Sequence, residues 1–305
     1  PAEDLAAAQK LRLITAHTDV IHAHGLRAAM VAVAANAGRS IPLVVTLHNI
    51  VDVHNPILRR TYALIEGVIA RRATVVLAAS EDLAERAREV GGRAVLTHHV
   101  AAPPMAEPKR QRAEQRRALE VATDRPLLLC VGRLHRQKGY QTLLEAAAIW
   151  QPRADHPMTV IAGDGPLREM LTEQIRATGV DVQLLGRRTD VADLLQAADL
   201  VVLPSMWEAR ALVAQEAMRA GVPLVCTRTG GLPALVGDAA SVVPVGDAAA
   251  LAAAVTQILD DPQRARELAE AGRLRAAELE TEEDTASELI DVYDRLLSGK
   301  QVGQL

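Results

Sequence analysis

With 305 residues the chain has room for about two domains. Its 34 Lys+Arg against 38 Asp+Glu give a formal charge of -4, which excludes a generic nucleic-acid binder with its basic face or high pI. The only two cysteines, Cys130 and Cys226, sit inside apolar runs, so buried reduced thiols are expected rather than a disulfide framework. No apolar run approaches the roughly 20 residues needed to span a bilayer, and no signal peptide is visible, so a cytoplasmic protein is expected. Phe is absent, and Arg outnumbers Lys by 30 to 4. Leu, Val, Ile and Ala must fill the core, which suits buried parallel strands. The Arg and Ala excess points to a GC-rich genome rather than to a function.

In chain order, residues 1–16 read as a helix, 19–24 as a short strand, 26–37 as a helix and 41–46 as a strand leading into His48-Asn49. Residues 59–71 are helical, 74–79 a strand, 81–90 a helix and 94–100 a last short strand before Ala101-Ala102-Pro103-Pro104. The alternation predicts parallel pairing with right-handed crossovers. The chain opens on a helix with no strand and Gly-rich turn ahead of it, so further residues are expected before Pro1. A charged, Pro-bearing stretch from 103 to about 125 reads as a linker, helical near 112–119. A second unit follows, with strands at 127–131, 158–162, 182–185, 200–203, 224–226 and 242–245. Its helices are expected at 140–150, 167–178, 191–197, 212–220, 248–259, 262–279 and 286–297.

Chemistry-bearing loops concentrate in that second unit. Gly132-Arg133-Leu134-His135-Arg136-Gln137-Lys138-Gly139 leaves a strand for a helix, so Gly, cations and a helix N-terminus meet in an arrangement suited to a diphosphate. Taken alone, it reads more readily as a solvated basic loop. Gly163-Asp164-Gly165-Pro166 is a tight turn with Pro at a helix start. Thr227-Arg228-Thr229-Gly230-Gly231 lets backbone N–H groups approach phosphate oxygens. Glu208 and Glu216 flank the loop and helix after the 200–203 strand. There they could accept hydrogen bonds from sugar or ribose hydroxyls, or serve as a capping acid and a solvated helix acid. No Asp-x-Asp and no HExxH occurs, and the nine His show no ligand spacing, His98-His99 included. No G-x-G-x-x-G follows a strand, which disfavours a dinucleotide-binding dehydrogenase.

In this order, Val131-Gly132-Arg133-Leu134 through Lys138-Gly139, Ala162 to Pro166, Leu185-Gly186, Asp199 to Ser205, Glu208 to Met218, Gly221 to Val225 and Gly230-Gly231 resemble one family. It is the donor-binding half of retaining glycosyltransferases of family 4, group 1. Asp19 to His24 and Val44 to His48 extend the resemblance loosely into the first unit. The resemblance implies a GT-B fold, an α/β architecture of two Rossmann-like domains with parallel sheets facing a cleft. It implies an incomplete acceptor-side domain over 1–104, a linker over 105–125, a nucleotide-sugar-binding domain over 126–282 and a closing helix over 283–305 that crosses to the first domain.

The implied activity is metal-independent transfer of a sugar from a nucleotide-diphosphate sugar to an acceptor hydroxyl with retention of configuration. The resemblance implies that no metal or other cofactor is needed, and the missing metal motifs are consistent with that. Arg133 and Lys138 would neutralise the diphosphate as the sugar leaves, the kind of electrostatic term that is often the largest in catalysis. Glu208 would lie at the transferred sugar and Glu216 at the ribose hydroxyls. Gly163, Gly165, Gly230 and Gly231 would line the donor pocket, and the backbone of Arg187 would meet the nucleobase. His48 would contact the sugar near the reacting carbon. His24 is a candidate for the same wall, or a histidine that merely caps a strand end.

Two departures from the family pattern stand out. Ala209-Arg210-Ala211 replaces a Gly-containing stretch after the first acid, and no N-terminal Gly-rich loop is present. They leave two alternatives, a non-catalytic nucleotide-sugar-binding chain and a nucleotide-sugar epimerase or hydrolase. The acceptor, whether sugar, small molecule or lipid-linked, is not readable. Arg59, Arg60, Arg71 and Arg72 could meet a membrane surface, but a solvated helix face is the preferred reading.

Overall fold

A computed structural model describes residues 2–50, 55–300 and 302. They fall into two compact units, Pro1–Ala101 with Glu280–Leu305, and Ala102–Leu279.

Unit 1 begins α1 (Ala2–Ile14), β1 (Ile21–His24), α2 (Leu26–Ala35), β2 (Leu43–Leu47), α3 (Pro56–Arg72), β3 (Val75–Ala78), α4 (Glu81–Glu89) and β4 (Val95–Thr97). The four strands form one parallel sheet in the order β1-β2-β3-β4. Val44, Val45, Val75, Val76 and Leu77 are essentially inaccessible, as the near-continuous apolar runs of parallel strands require. β1 alternates instead. Ile21 and Ala23 enter the core while His22 and His24 share the opposite face. α3 starts at residue 56 because Asn55 caps it, Oδ1 accepting from Ile57 N at 2.9 Å, with Pro56 in the first turn.

Unit 2 runs α5 (Arg112–Ala118), β5 (Leu127–Val131), α6 (Tyr140–Trp150), β6 (Met158–Ala162), α7 (Arg168–Thr178), β7 (Val182–Gly186), α8 (Val191–Ala197), β8 (Leu200–Leu203), α9 (Leu212–Ala220), β9 (Leu224–Thr227), α10 (Leu232–Val236), β10 (Ser241–Val243), α11 (Ala248–Asp260) and α12 (Pro262–Ala277). Its strands form a parallel sheet ordered β10-β9-β8-β5-β6-β7, with helices covering both faces. Leu127 and Leu129 enter one core, and Leu128 and Cys130 the other, as the two-residue period of a strand dictates. Cys130 and Cys226 are buried and unpaired, and burial raises both thiols, Cys226 to about 12.

Residues 105–125 are built into unit 2 through Asp199. Its carboxylate accepts from Arg112 (2.5 Å), from the buried Arg116 (3.0 Å) and from Leu127 N (2.8 Å). A last helix, α13 (Glu282–Leu297), opens on a capping box between Thr281 and Asp284. It belongs to unit 1, where Val292 packs with Val44, Val75 and Leu77. No described helix is long and apolar enough to cross a membrane.

Candidate active site

In an open parallel sheet the ligand crevice lies beyond the carboxyl ends of the strands, where the strand order reverses. In unit 2 the reversal falls between β5 and β8, because the chain builds outward through β6 and β7 and then returns to lay down β8, β9 and β10. The loops 132–139 and 204–211 therefore leave the sheet side by side. They meet through one ion pair. Lys138 Nζ donates to Glu208 Oε1 at 2.5 Å, and Ser205 Oγ donates to the same oxygen at 2.7 Å. Glu208 is only 6% exposed, and a carboxylate that deep is tolerable because it is paired and hydrogen-bonded. The backbone locks the contact further. Met206 N donates to Gln137 O at 2.7 Å, and Gln137 Nε2 donates to Trp207 O at 2.9 Å.

Two glycines make this close approach feasible. Gly139 has φ +65° at the junction of a 3-10 turn (Arg136–Lys138) with α6, and a Cβ there would lie 1.9 Å from Pro204 O. Gly230 has φ +50°, and its Cβ would lie 2.0 Å from Glu208 O. Gly231 N donates to that carbonyl at 2.9 Å. The backbone of Glu208 is thus held by the loop after β9 while its side chain is held by the loop after β5.

The other expected donor residues spread around this pair. Gly163 N bonds Gly186 O (2.8 Å), and Leu134 N bonds Asp164 O (3.0 Å), which ties the turn containing Gly163 and Gly165 to the loop of Lys138. Arg133 is exposed on that loop. Glu216 lies half-buried in α9. Burial raises its carboxyl above the usual range, partly offset by Arg219. Lys138 and Ser205 engage Glu208, whereas Arg219 is the charge beside Glu216. Arg187 is exposed past β7, where it lines an open polar hollow of about 430 Å³ with Lys109, Arg110, Arg188, Asp190 and Asp193.

In unit 1, His24 Nδ1 and His48 Nε2 are 3.1 Å apart, with nearly parallel rings. Sequence reasoning passed over the residue beneath them. His22 stacks on His24 with ring centroids 4.2 Å apart. Its Nδ1 is 2.6 Å from the Tyr293 hydroxyl and its Nε2 2.6 Å from Thr46 Oγ1. Burial, then the neighbouring His24, His98 and His48, hold His22 down to about 4. His48 is lowered too, by burial first and then by His24 and His98. Spacing could have flagged His22, two residues before His24 and so on the same strand face. Ser205 and Gln137, also passed over, stand inside the quoted motifs. Tyr293 had no local signal.

Comparison with known proteins fits this arrangement. Residues 111–275 match the family model described as glycosyl transferases group 1, and residues 1–103 match a glycosyl transferase 4-like domain. The chain belongs to the group 1 glycosyltransferase family. A glycogen synthase of Mycobacterium tuberculosis is 32% identical over 271 residues, 84% of this chain and 64% of that protein. This chain thus spans less than two thirds of that relative's length. The sucrose-phosphate synthase of Thermosynechococcus elongatus superposes with a TM-score of 0.82 at 25% identity, covering 96% of this chain and 78% of that one. Anabaena HepE, solved in complex with UDP, gives 0.79 at 25% identity, covering 95% and 82%. The group 1 assignment and these neighbours make the architecture GT-B, each unit carrying one of its parallel Rossmann-like sheets.

Proposed function

We propose that this chain transfers a sugar from a nucleotide-diphosphate sugar to an acceptor hydroxyl, with retention of configuration and without a metal. The observation that carries the reading is the Lys138–Glu208 pair at the strand-order reversal of unit 2, with Arg133 on the same loop. A donor diphosphate brings two or more negative charges to that point, and two cations on one loop offset them as the leaving group's charge grows. Lys138 then shares its charge between Glu208 and the phosphate, and Glu208 turns lone pairs toward the sugar hydroxyls. The bond from the anomeric carbon to the phosphate oxygen breaks and the bond to the acceptor oxygen forms on the same face. The acceptor's proton passes to the departing phosphate. Glu216 holds the ribose hydroxyls, and His48 and His24 serve the sugar. The HepE complexes with UDP and with UDP-glucose support a nucleotide-sugar donor.

The test is a thermal-shift panel of UDP, GDP, ADP and their sugar conjugates, with and without divalent metal. Anomeric NMR of any product completes it. At 100 times its dissociation constant a ligand adds about 2.7 kcal/mol. One nucleotide class should raise the midpoint without metal, and Arg133→Ala and Glu216→Ala should abolish the rise. An inverted product, or turnover with water alone, would overturn the assignment as a retaining transferase.

A further inference from the structure

Both ring nitrogens of His22 are engaged by hydroxyls, Tyr293 on α13 and Thr46 on β2, so the ring cannot rotate or tilt without losing a short hydrogen bond. Its flat face supports His24, whose Nδ1 meets His48 Nε2. That last contact has a chemical consequence. Each uncharged imidazole carries one N–H, and the contact consumes one N–H and one lone pair. Whichever ring donates, the outer nitrogens, His24 Nε2 and His48 Nδ1, hold one N–H and one lone pair between them. One donor beside one acceptor is the pattern that a hydroxyl group satisfies fully. A single added proton replaces it with two donors.

We propose that His22 is the positioning residue of this wall: clamped between Tyr293 and Thr46 and stacked on His24, it sets the His24–His48 contact that presents one donor and one acceptor to a sugar hydroxyl. The proposal rests on the transferase reading above. The titratable groups facing His22 are His24, His48, His98 and Tyr293, and Glu288 bonds His98 at 3.1 Å. Among the described residues no carboxylate contacts His22 to favour its cation, and three histidines oppose it. Burial and these neighbouring histidines therefore disfavour a positive charge under His24 as the pH falls.

The testing variant is Tyr293→Phe in the full chain, which deletes one hydroxyl and keeps the ring. Turnover should fall about tenfold with nucleotide affinity unchanged, and the pH profile of the rate should change as the His24–His48 contact is released. Thr46→Ser, which keeps the second hydroxyl, should preserve both the parent rate and profile. Parental turnover and pH profile in Tyr293→Phe would overturn the proposal. Imidazole ¹⁵N spectra read the same point without turnover. In the parent His22 should stay uncharged down to about pH 5, and in Tyr293→Phe the tautomer balance of His24 and His48 should shift. An unchanged balance would overturn the proposal even if the parent transfers no sugar, a result that by itself would count only against the transferase reading.

Discussion

The two units solve the same problem, holding polar groups at the carboxyl ends of a parallel sheet, in opposite ways. Unit 2 buries a charge and answers it with another, Glu208 against Lys138. Unit 1 withholds charge, wedging His22 between hydroxyls and stacking His24 on it. A charged pair tolerates the arrival of a diphosphate, because Lys138 can redistribute between two anions. Imidazoles that each carry one N–H and one lone pair suit a hydroxyl, which needs a donor and an acceptor at fixed angles. Damage should therefore show as lost charge compensation in unit 2 and as altered pH response in unit 1.

The largest effect is expected at the ion pair. Lys138→Ala leaves the buried Glu208 with Ser205 as a side-chain partner among the described residues, and removing one member of such a pair costs about 3 kcal/mol. Glu208→Gln leaves Lys138, whose side chain is 26% exposed, able to turn to water, so about 1 kcal/mol is expected. Both should lower transfer about 10²–10³-fold, the scale of losing one transition-state electrostatic contact. Urea unfolding of the two variants tests the asymmetry. Equal losses would mean that the burial of Glu208 is not what the lysine compensates.

Next in size is Gly230→Ala. A left-handed φ costs a side-chain residue about 1–2 kcal/mol, and the new methyl would also meet the Glu208 carbonyl. The loop after β9 must shift, so a loss of about 2–3 kcal/mol is expected, with nucleotide affinity falling alongside. Gly237→Ala is the control, since Gly237 has a similar positive φ but open space around it. It should lose stability without losing affinity.

How much of this was readable beforehand follows from what each feature depends on. β5 at 127–131 and β8 at 200–203 emerge with the expected bounds, because an apolar run closed by Gly or Pro is a local signal. α10 was missed because five residues after Gly231, with Pro233 among them, carry no helical period. α13 starts at residue 282, not 286, because its capping box uses Asp284 where the usual pattern has Glu or Gln. Lys138 and Glu208 were readable as residues on strand-end loops. Their contact was not, since it depends on the strand order that makes β5 and β8 neighbours. The Tyr293–His22 contact joins residues 271 apart and leaves no trace in either neighbourhood.

The histidine stack predicts a stability that falls with acid. In the unfolded chain His22 takes up its proton near 6.5, whereas in the fold it does so only near 4. Between those values the unfolded state binds more protons, so unit 1 loses stability as pH falls from about 7 to 4 and no further below. Because His22 is only half-buried, solvent reduces the effect to about 1–2 kcal/mol. His22→Gln should flatten that part of the stability–pH curve relative to the parent. An identical slope in the variant would place the acid sensitivity elsewhere.

The smallest effect, and the one that separates stability from function in unit 2, belongs to Glu216. Burial raises its carboxyl in the fold, so the native state holds the proton more tightly than the unfolded chain does. Any stabilisation from that proton is complete below the unfolded value and is lost as pH rises through the folded one. At neutral pH the charged carboxylate is therefore a modest burden on the unliganded protein. Glu216→Gln should relieve it and raise stability slightly. The same change replaces an acceptor-only group with an amide, whose N–H₂ half cannot accept from a ribose hydroxyl. Nucleotide affinity should fall about tenfold while the midpoint of the free protein rises. A variant that is both more stable and equally tight for nucleotide would remove Glu216 from the donor site, leaving the Lys138–Glu208 pair to define it alone.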